Sequence, residues 1–124
     1  MPEPLPIVGM RIVAAPAALD AARFTDGAHV LRLAPDEVFA IGADEVAIGD
    51  PDAIVVRDGG VVGFWLDDPE EALAGLVEWE LPRERPALAT GNVGGIGARI
   101  VFEVDRALVL VPATLGHELA ARLR

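Results

Sequence analysis

The sequence predicts an α+β fold: a mostly antiparallel sheet with two or three helices packed on one face and ferredoxin-like elements. Three observations lead there. Short runs rich in Val, Ile and Leu recur along the chain, as strands do. Several of these runs are separated by only a few turn-forming residues, which joins antiparallel neighbours. Two segments carry helix-start chemistry followed by an apolar face.

In chain order, the strand candidates are Val8–Ala14, Val30–Leu33, Val38–Gly42, Val46–Ile48, Ile54–Arg57, Val61–Leu66, Leu88–Thr90, Arg99–Val104 and Leu108–Val111. Ala34-Pro35-Asp36-Glu37 reads as a type I turn, with Pro pre-setting φ at its second position. Asp58-Gly59-Gly60 reads as a hairpin turn between Ile54–Arg57 and Val61–Leu66, and Asp105-Arg106 as another. The first clear helix begins after Asp67 or Asp68: Pro69 takes the first helical position, and Glu70-Glu71 suit the positive end of the helix dipole. Ala72, Leu73, Leu76 and Val77 form its apolar face. The second opens at Pro112-Ala113-Thr114, aligns Leu115, Leu119 and Leu123, and ends with Arg122 and Arg124 at its negative end. A weaker helix is expected over Pro16–Phe24. The later elements run strand, helix, strand, strand, helix; with the preceding hairpin this is half of a ferredoxin-like sandwich.

A chain of 124 residues fits one domain with a proper core. Residues 1–9 are expected as a frayed arm and 10–124 as a single domain, with 80–86 an ordinary loop. Hydrophobic residues make up 52%, too many for a disordered chain. No apolar run approaches the ~20 residues of a membrane helix. The apolar residues therefore belong to a globular core, and because a small domain has limited interior their surplus could also cover an interface with a partner. The opening MPEPLPIVGM lacks the basic, apolar pattern of a secretory signal, and there is no cysteine, so a cytoplasmic address is expected. Twenty acids against ten bases give a net charge of −10, which repels nucleic acid and anionic membranes.

The residue roster restricts chemistry further. Lys, Ser, Cys, Tyr and Gln are absent, Asn occurs only at Asn92, and every base is Arg, a bias that a GC-rich genome would produce. A Ser-His-Asp triad, a Lys Schiff base and a Lys-containing phosphate loop are therefore impossible. Thr25, Thr90, Thr114 and the carboxylates remain as nucleophiles. His29 and His117 lie far apart with no metal-binding spacing and are expected as structural or surface residues, His29 partly exposed. The Gly-rich stretch Gly91–Gly97 precedes a strand rather than a helix and fails the dinucleotide spacing, so it reads as a turn or bulge. No metal, cofactor or catalytic residue is expected.

With the elements laid out, the chain resembles the small gamma subunit of heterotetrameric sarcosine oxidase, within the wider fold of the glycine-cleavage aminomethyltransferase (T-protein) family. The residues that carry the resemblance are Leu31-Arg32-Leu33-Ala34-Pro35-Asp36-Glu37-Val38-Phe39, the helix region Asp67 to Trp79, and Ala107–Pro112 leading into the last helix. Val38 stands where that family usually has Trp, the chain is shorter, and the family's catalytic Asp and folate-gripping acids have no counterpart. The resemblance implies a non-catalytic structural companion, acting through protein–protein contacts with itself or a larger oxidase- or aminomethyltransferase-like subunit.

Two other classes stand beside that one. Arg32, Arg57 and Arg99 lie on or beside strands, where guanidinium groups could grip a folate-like or other anionic ligand. Paired carboxylates at Asp67-Asp68, Glu70-Glu71 and Asp36-Glu37 could serve acid–base chemistry, although helix-cap and turn roles already account for them.

Overall fold

A computed structural model describes residues 3–123, Asp58 by its backbone alone. The chain divides into two compact units, Ile7–Gly60 and a second made of Met1–Pro6 with Val61–Arg124. The strands are overwhelmingly antiparallel, and the helices are short. Among the described residues no polar side chain is buried, so both cores are purely apolar.

The Ile7–Gly60 unit is built on β1 (Leu5–Val13), β3 (His29–Ala34) and β4 (Glu37–Ile41). β3 alternates strictly, with Leu31 and Leu33 buried and Val30 and Arg32 exposed, the period-two pattern of a half-buried strand. β4 lies between β3 and β1, and its consecutive residues Val38, Phe39 and Ala40 are all buried, so both faces of this strand are covered. Pro35 and Asp36 form the tight turn joining β3 to β4, as the sequence predicts. α1 (Pro16–Ala21) follows β1 and buries Leu19. It stops short of the expected Phe24, which instead joins β2 (Arg23–Phe24) in a two-stranded ribbon with β5 (Val46–Ala47). Thr25 holds that ribbon: its Oγ1 accepts from the amides of Asp44 (2.9 Å) and Glu45 (3.0 Å). Met10, Ile12, Ala14, Leu19, Val38, Ala40 and Ala43 make the core.

Two expectations change in this unit. Residues 5–9, placed in a frayed arm, belong to β1, and Gly9 pairs with Ile41 of β4; residues 1–2 of that arm lie outside the described residues. The hairpin at Asp58-Gly59-Gly60 does not form. β6 runs unbroken from Ile54 to Leu66, because neither glycine takes the positive φ that such a turn demands.

In the other unit, β6 continues through Val61–Leu66 and is followed by α2 (Pro69–Leu73), β7 (Ala87–Val93), β8 (Ile96–Phe102), β9 (Ala107–Pro112), a 3₁₀ turn (Ala113–Leu115) and α3 (Gly116–Arg122). The strand order is β6-β9-β8-β7, with every pair antiparallel. β7 and β8 are joined through Gly94-Gly95, at φ +58° and +84°. Side chains rarely adopt either value, so the Gly-rich stretch is a hairpin, as expected. β9 is buried throughout Ala107–Val111, the mark of a strand covered on both faces.

Asp68 caps α2, its Oδ1 accepting from the Glu71 amide at 3.2 Å. The helix ends sooner than its sequence suggests, at a turn with Gly75 at φ +79°. Leu76 and Val77 still pack on the core, from beyond the helix. In α3, Leu119 is buried as predicted, and so is Leu123 just beyond its end; Arg124 lies outside the described residues. Leu73, Leu119, Ala120 and Leu123 from the helices join Phe64, Leu66, Ile96, Ile100, Phe102 and Val109 of the strands in one cluster of fourteen buried residues. Val104, expected at the end of a strand, sits in the β8–β9 loop and is 78% exposed.

Candidate functional site

Of the three arginines singled out as anion-binding candidates, Arg32 and Arg57 lie in the Ile7–Gly60 unit and Arg99 in the other. Arg32 projects from β3 and is fully engaged in its own unit. Its Nε donates to Ala34 O (3.2 Å), its Nη2 to Pro35 O (2.9 Å) and Pro16 O (3.2 Å), and its Nη1 pairs with Asp20 (2.9 Å). The guanidinium fork thereby ties the β3–β4 turn to α1. Among the described residues Arg57, on β6, reaches only Asp44 O, at a long 3.4 Å. β4 and β1 separate its strand from β3. Arg99 belongs to the other unit, half-buried on β8 opposite Thr90 and Leu110. No shared carboxylate pocket is formed by Arg32 and Arg57.

The candidate nucleophiles and bases are similarly placed in structural roles or in open solvent. Thr25 spends its hydroxyl oxygen on two backbone amides. Thr90 and Thr114 are exposed, on β7 and the 3₁₀ turn. His29 is half-buried at the start of β3, and His117 is exposed on α3. Among the described residues, no three His, Asp or Glu side chains gather as a metal ion would require.

The acidic clusters are helix and turn chemistry. Asp68 is the cap of α2, and Glu70 pairs with Arg85. Asp67, Asp68 and Glu71 line a shallow depression with Trp65, Leu66, Ala72 and Leu123, and all three acids are exposed. The Asp50 carboxyl is held below its ordinary value of 3.8. The cause is its hydrogen bonds from the amides of Ala15 and Asp52, both 2.9 Å. It secures the loop between β5 and β6 to the start of α1, which is a structural task.

Sequence reasoning missed Arg85. Its side chain is 15% exposed, donates to Pro82 O (3.3 Å), pairs with Glu70, and lies 4.9 Å above the Phe102 ring. A guanidinium on an aromatic face is held by the ring quadrupole. The open cleft beside it is lined by Glu70, Glu80, Leu81, Pro82, Arg83 and Val104. Arg83 there is paired with Glu80, so each cation in the cleft already faces an acid. The signal in the sequence was Arg83/Arg85 between two prolines, which reads equally well as a solvated loop.

The feature that departs most from an ordinary protein surface is apolar. Ile54, Val55 and Val56 are consecutive on β6 and 60%, 39% and 52% exposed. They therefore present side chains on both faces of the strand. Leu5, Val8 and Val30 add further exposed apolar side chains. The sequence marks Ile54–Arg57 as a strand, but a continuous apolar run does not by itself say which of its side chains the fold leaves uncovered.

Among the described residues no helix is long and apolar enough to cross a membrane. Comparison of the chain with protein-family models, curated proteins and solved structures finds no match to any of them.

Proposed function

We propose that this chain is a non-catalytic accessory domain that acts through protein–protein contacts in the cytoplasm. Its place would be that of the sarcosine oxidase gamma subunit it resembles, a companion to itself or to a larger oxidase- or aminomethyltransferase-like subunit. The observation that carries the reading is the exposed run Ile54-Val55-Val56. Single exposed apolar residues are ordinary on a protein surface; three in succession on one strand are an association surface.

The engagement of Thr25, Arg32 and Asp50 with their own backbone neighbours supports the same reading, since it leaves these groups to structural work. The ferredoxin-like kinship belongs to this proposal too. The succession β6, α2, β7, β8, β9, α3 supports it, as does the antiparallel pairing, while the strand order β6-β9-β8-β7 is a departure from it.

Affinity purification of the tagged chain from its own cells tests the reading, with the eluate examined for flavin absorbance and folate-binding activity. A stoichiometric complex with a flavoprotein or aminomethyltransferase-like subunit, or a defined homo-oligomer, is expected. A chain that stays monomeric and retains no partner overturns the proposal.

A further inference from the structure

We infer that the Ile54–Arg57 edge of β6 pairs antiparallel with the same segment of a second copy of this chain, about a twofold axis at Val55. The inference rests on the reading of an assembly domain and names its partner. It begins with backbone. β9 pairs with β6 only from Val61 to Leu66, so residues 54–57 have at most one strand neighbour, β1. An unpaired strand edge with apolar side chains is a template for another strand.

The β3 edge of the same unit shows what protection looks like. There the ladder is interrupted by a register shift between Arg32 and Ala34, and Arg32 covers three carbonyl oxygens. Ile54–Val56 has no charge within it.

Charge selects the occupant. The run is preceded by Asp50 and Asp52 and closed by Arg57. Among the described residues the Asp52 side chain makes no ion pair, and Arg57 has only its long bond to Asp44 O. An antiparallel second copy brings its Arg57 opposite Ala53, beside the turn that carries Asp52, and does so twice. A parallel copy would set acid beside acid.

Register follows from the pleat, since residues facing each other across an antiparallel pair point to the same face. A twofold pairing is therefore centred on a residue. Centring on Val55 places Ile54 against Val56 of the second copy at both ends and covers the whole apolar run. Centring on Ile54 would set Val56 against Asp52; centring on Val56 would set Val55 against Arg57. Four residues per copy bury less than the ~1,000 Å² of a stable interface, so the dimer is weak, with a micromolar or higher dissociation constant.

The chain has no cysteine, so Val55→Cys and a control, Val104→Cys, each introduce one thiol. Val104 is the more exposed, 78% against 39%, and lies outside the strand. Under mild oxidation, Val55→Cys should give at least about tenfold more disulfide dimer than the control, as expected for thiols opposed across paired strands. Val55→Lys and Val55→Glu should each sediment as monomers at concentrations where the parent dimerises, and their mixture should restore the dimer.

Equal cross-linking at both positions, or a parent chain monomeric up to millimolar concentration, overturns the inference. So does dimerisation undiminished in both charge variants. If the chain is monomeric yet co-purifies with a larger oxidase-like subunit, the self-pairing fails while the accessory reading stands. Circular dichroism confirms that each variant is folded before these results are read.

Discussion

The two units of this chain solve the same problem, burying the faces of antiparallel strands, with very different success. In the unit containing β7, β8 and β9, fourteen buried residues form one cluster, and two helices contribute to it. The Ile7–Gly60 unit has a cluster of seven, closed by one short helix and a two-stranded ribbon. Among the described residues, five of the seven exposed large apolar side chains, Val8, Val30, Ile54, Val55 and Val56, belong to this smaller unit. The difference teaches where function is to be sought. A unit that has spent its apolar side chains on its own core has little left to offer a partner, whereas one that has not retains surface free energy that association can recover.

The largest expected effect comes from matched truncations. Ile100 and Ile12 are both fully buried, one in each cluster. Each change to Ala should cost about 2–5 kcal/mol, and Ile100→Ala should exceed Ile12→Ala by ~1 kcal/mol, because the thinner core can collapse onto the cavity. Both tryptophans, Trp65 and Trp79, lie in the larger unit. In urea, Ile12→Ala should therefore shift the far-UV dichroism transition ahead of the fluorescence transition. Coincident transitions with equal losses would remove the distinction between the cores.

A smaller effect is expected at Gly9, which sharpens the contrast from the backbone side. A Cβ there would lie 2.1 Å from Ala40 O and 2.8 Å from Ala40 C. Those are backbone atoms, so β1 and β4 must separate locally. Gly9→Ala should destabilise by about 1–3 kcal/mol, as overpacking does. Hydrogen exchange should accelerate selectively in the amides of β1 and β4, with β7–β9 unchanged. Uniform acceleration would argue against a separate response of the smaller unit.

Asp50 gives the smallest effect and a pH signature. Its folded-state pKa is lowered by hydrogen bonds from the Ala15 and Asp52 amides. The unfolded chain therefore binds this proton more readily, and the carboxylate stabilises the fold above its ordinary value of 3.8. That contribution is lost as the pH falls below 3.8 through the lowered folded value. Asp50→Asn should melt at a lower temperature than the parent near neutral pH and converge with it in strong acid. A difference independent of pH would assign the effect to packing instead of charge.

Much of this architecture was legible one element at a time. Asp68-Pro69-Glu70-Glu71 announces a capped helix because each residue satisfies a local need of a helix start. Pro35-Asp36 announces a turn for similarly local reasons, and Gly94-Gly95 supplies the backbone freedom that a two-residue hairpin requires. The misreading at Asp58-Gly59-Gly60 shows the limit. Glycine permits a turn without compelling one, and here it lies in an extended strand. Arg32, Arg57 and Arg99 looked alike as strand arginines, yet their partners come from α1, from the segment before β5 and from separate strands. No window of sequence contains those neighbours.

The sequence by itself determined the strand-rich, antiparallel character, the helix starts, and the absence of Ser, Cys, Lys and Tyr as catalytic groups. These follow from local backbone preference and side-chain inventory, which do not depend on what lies across space. Tertiary structure alone decided that β6 runs through its glycines, that Arg85 rests on Phe102, and that Ile54, Val55 and Val56 face solvent. Burial is a property of neighbours remote in the chain. An apolar run states only that it would be more stable covered, and the fold leaves this one open.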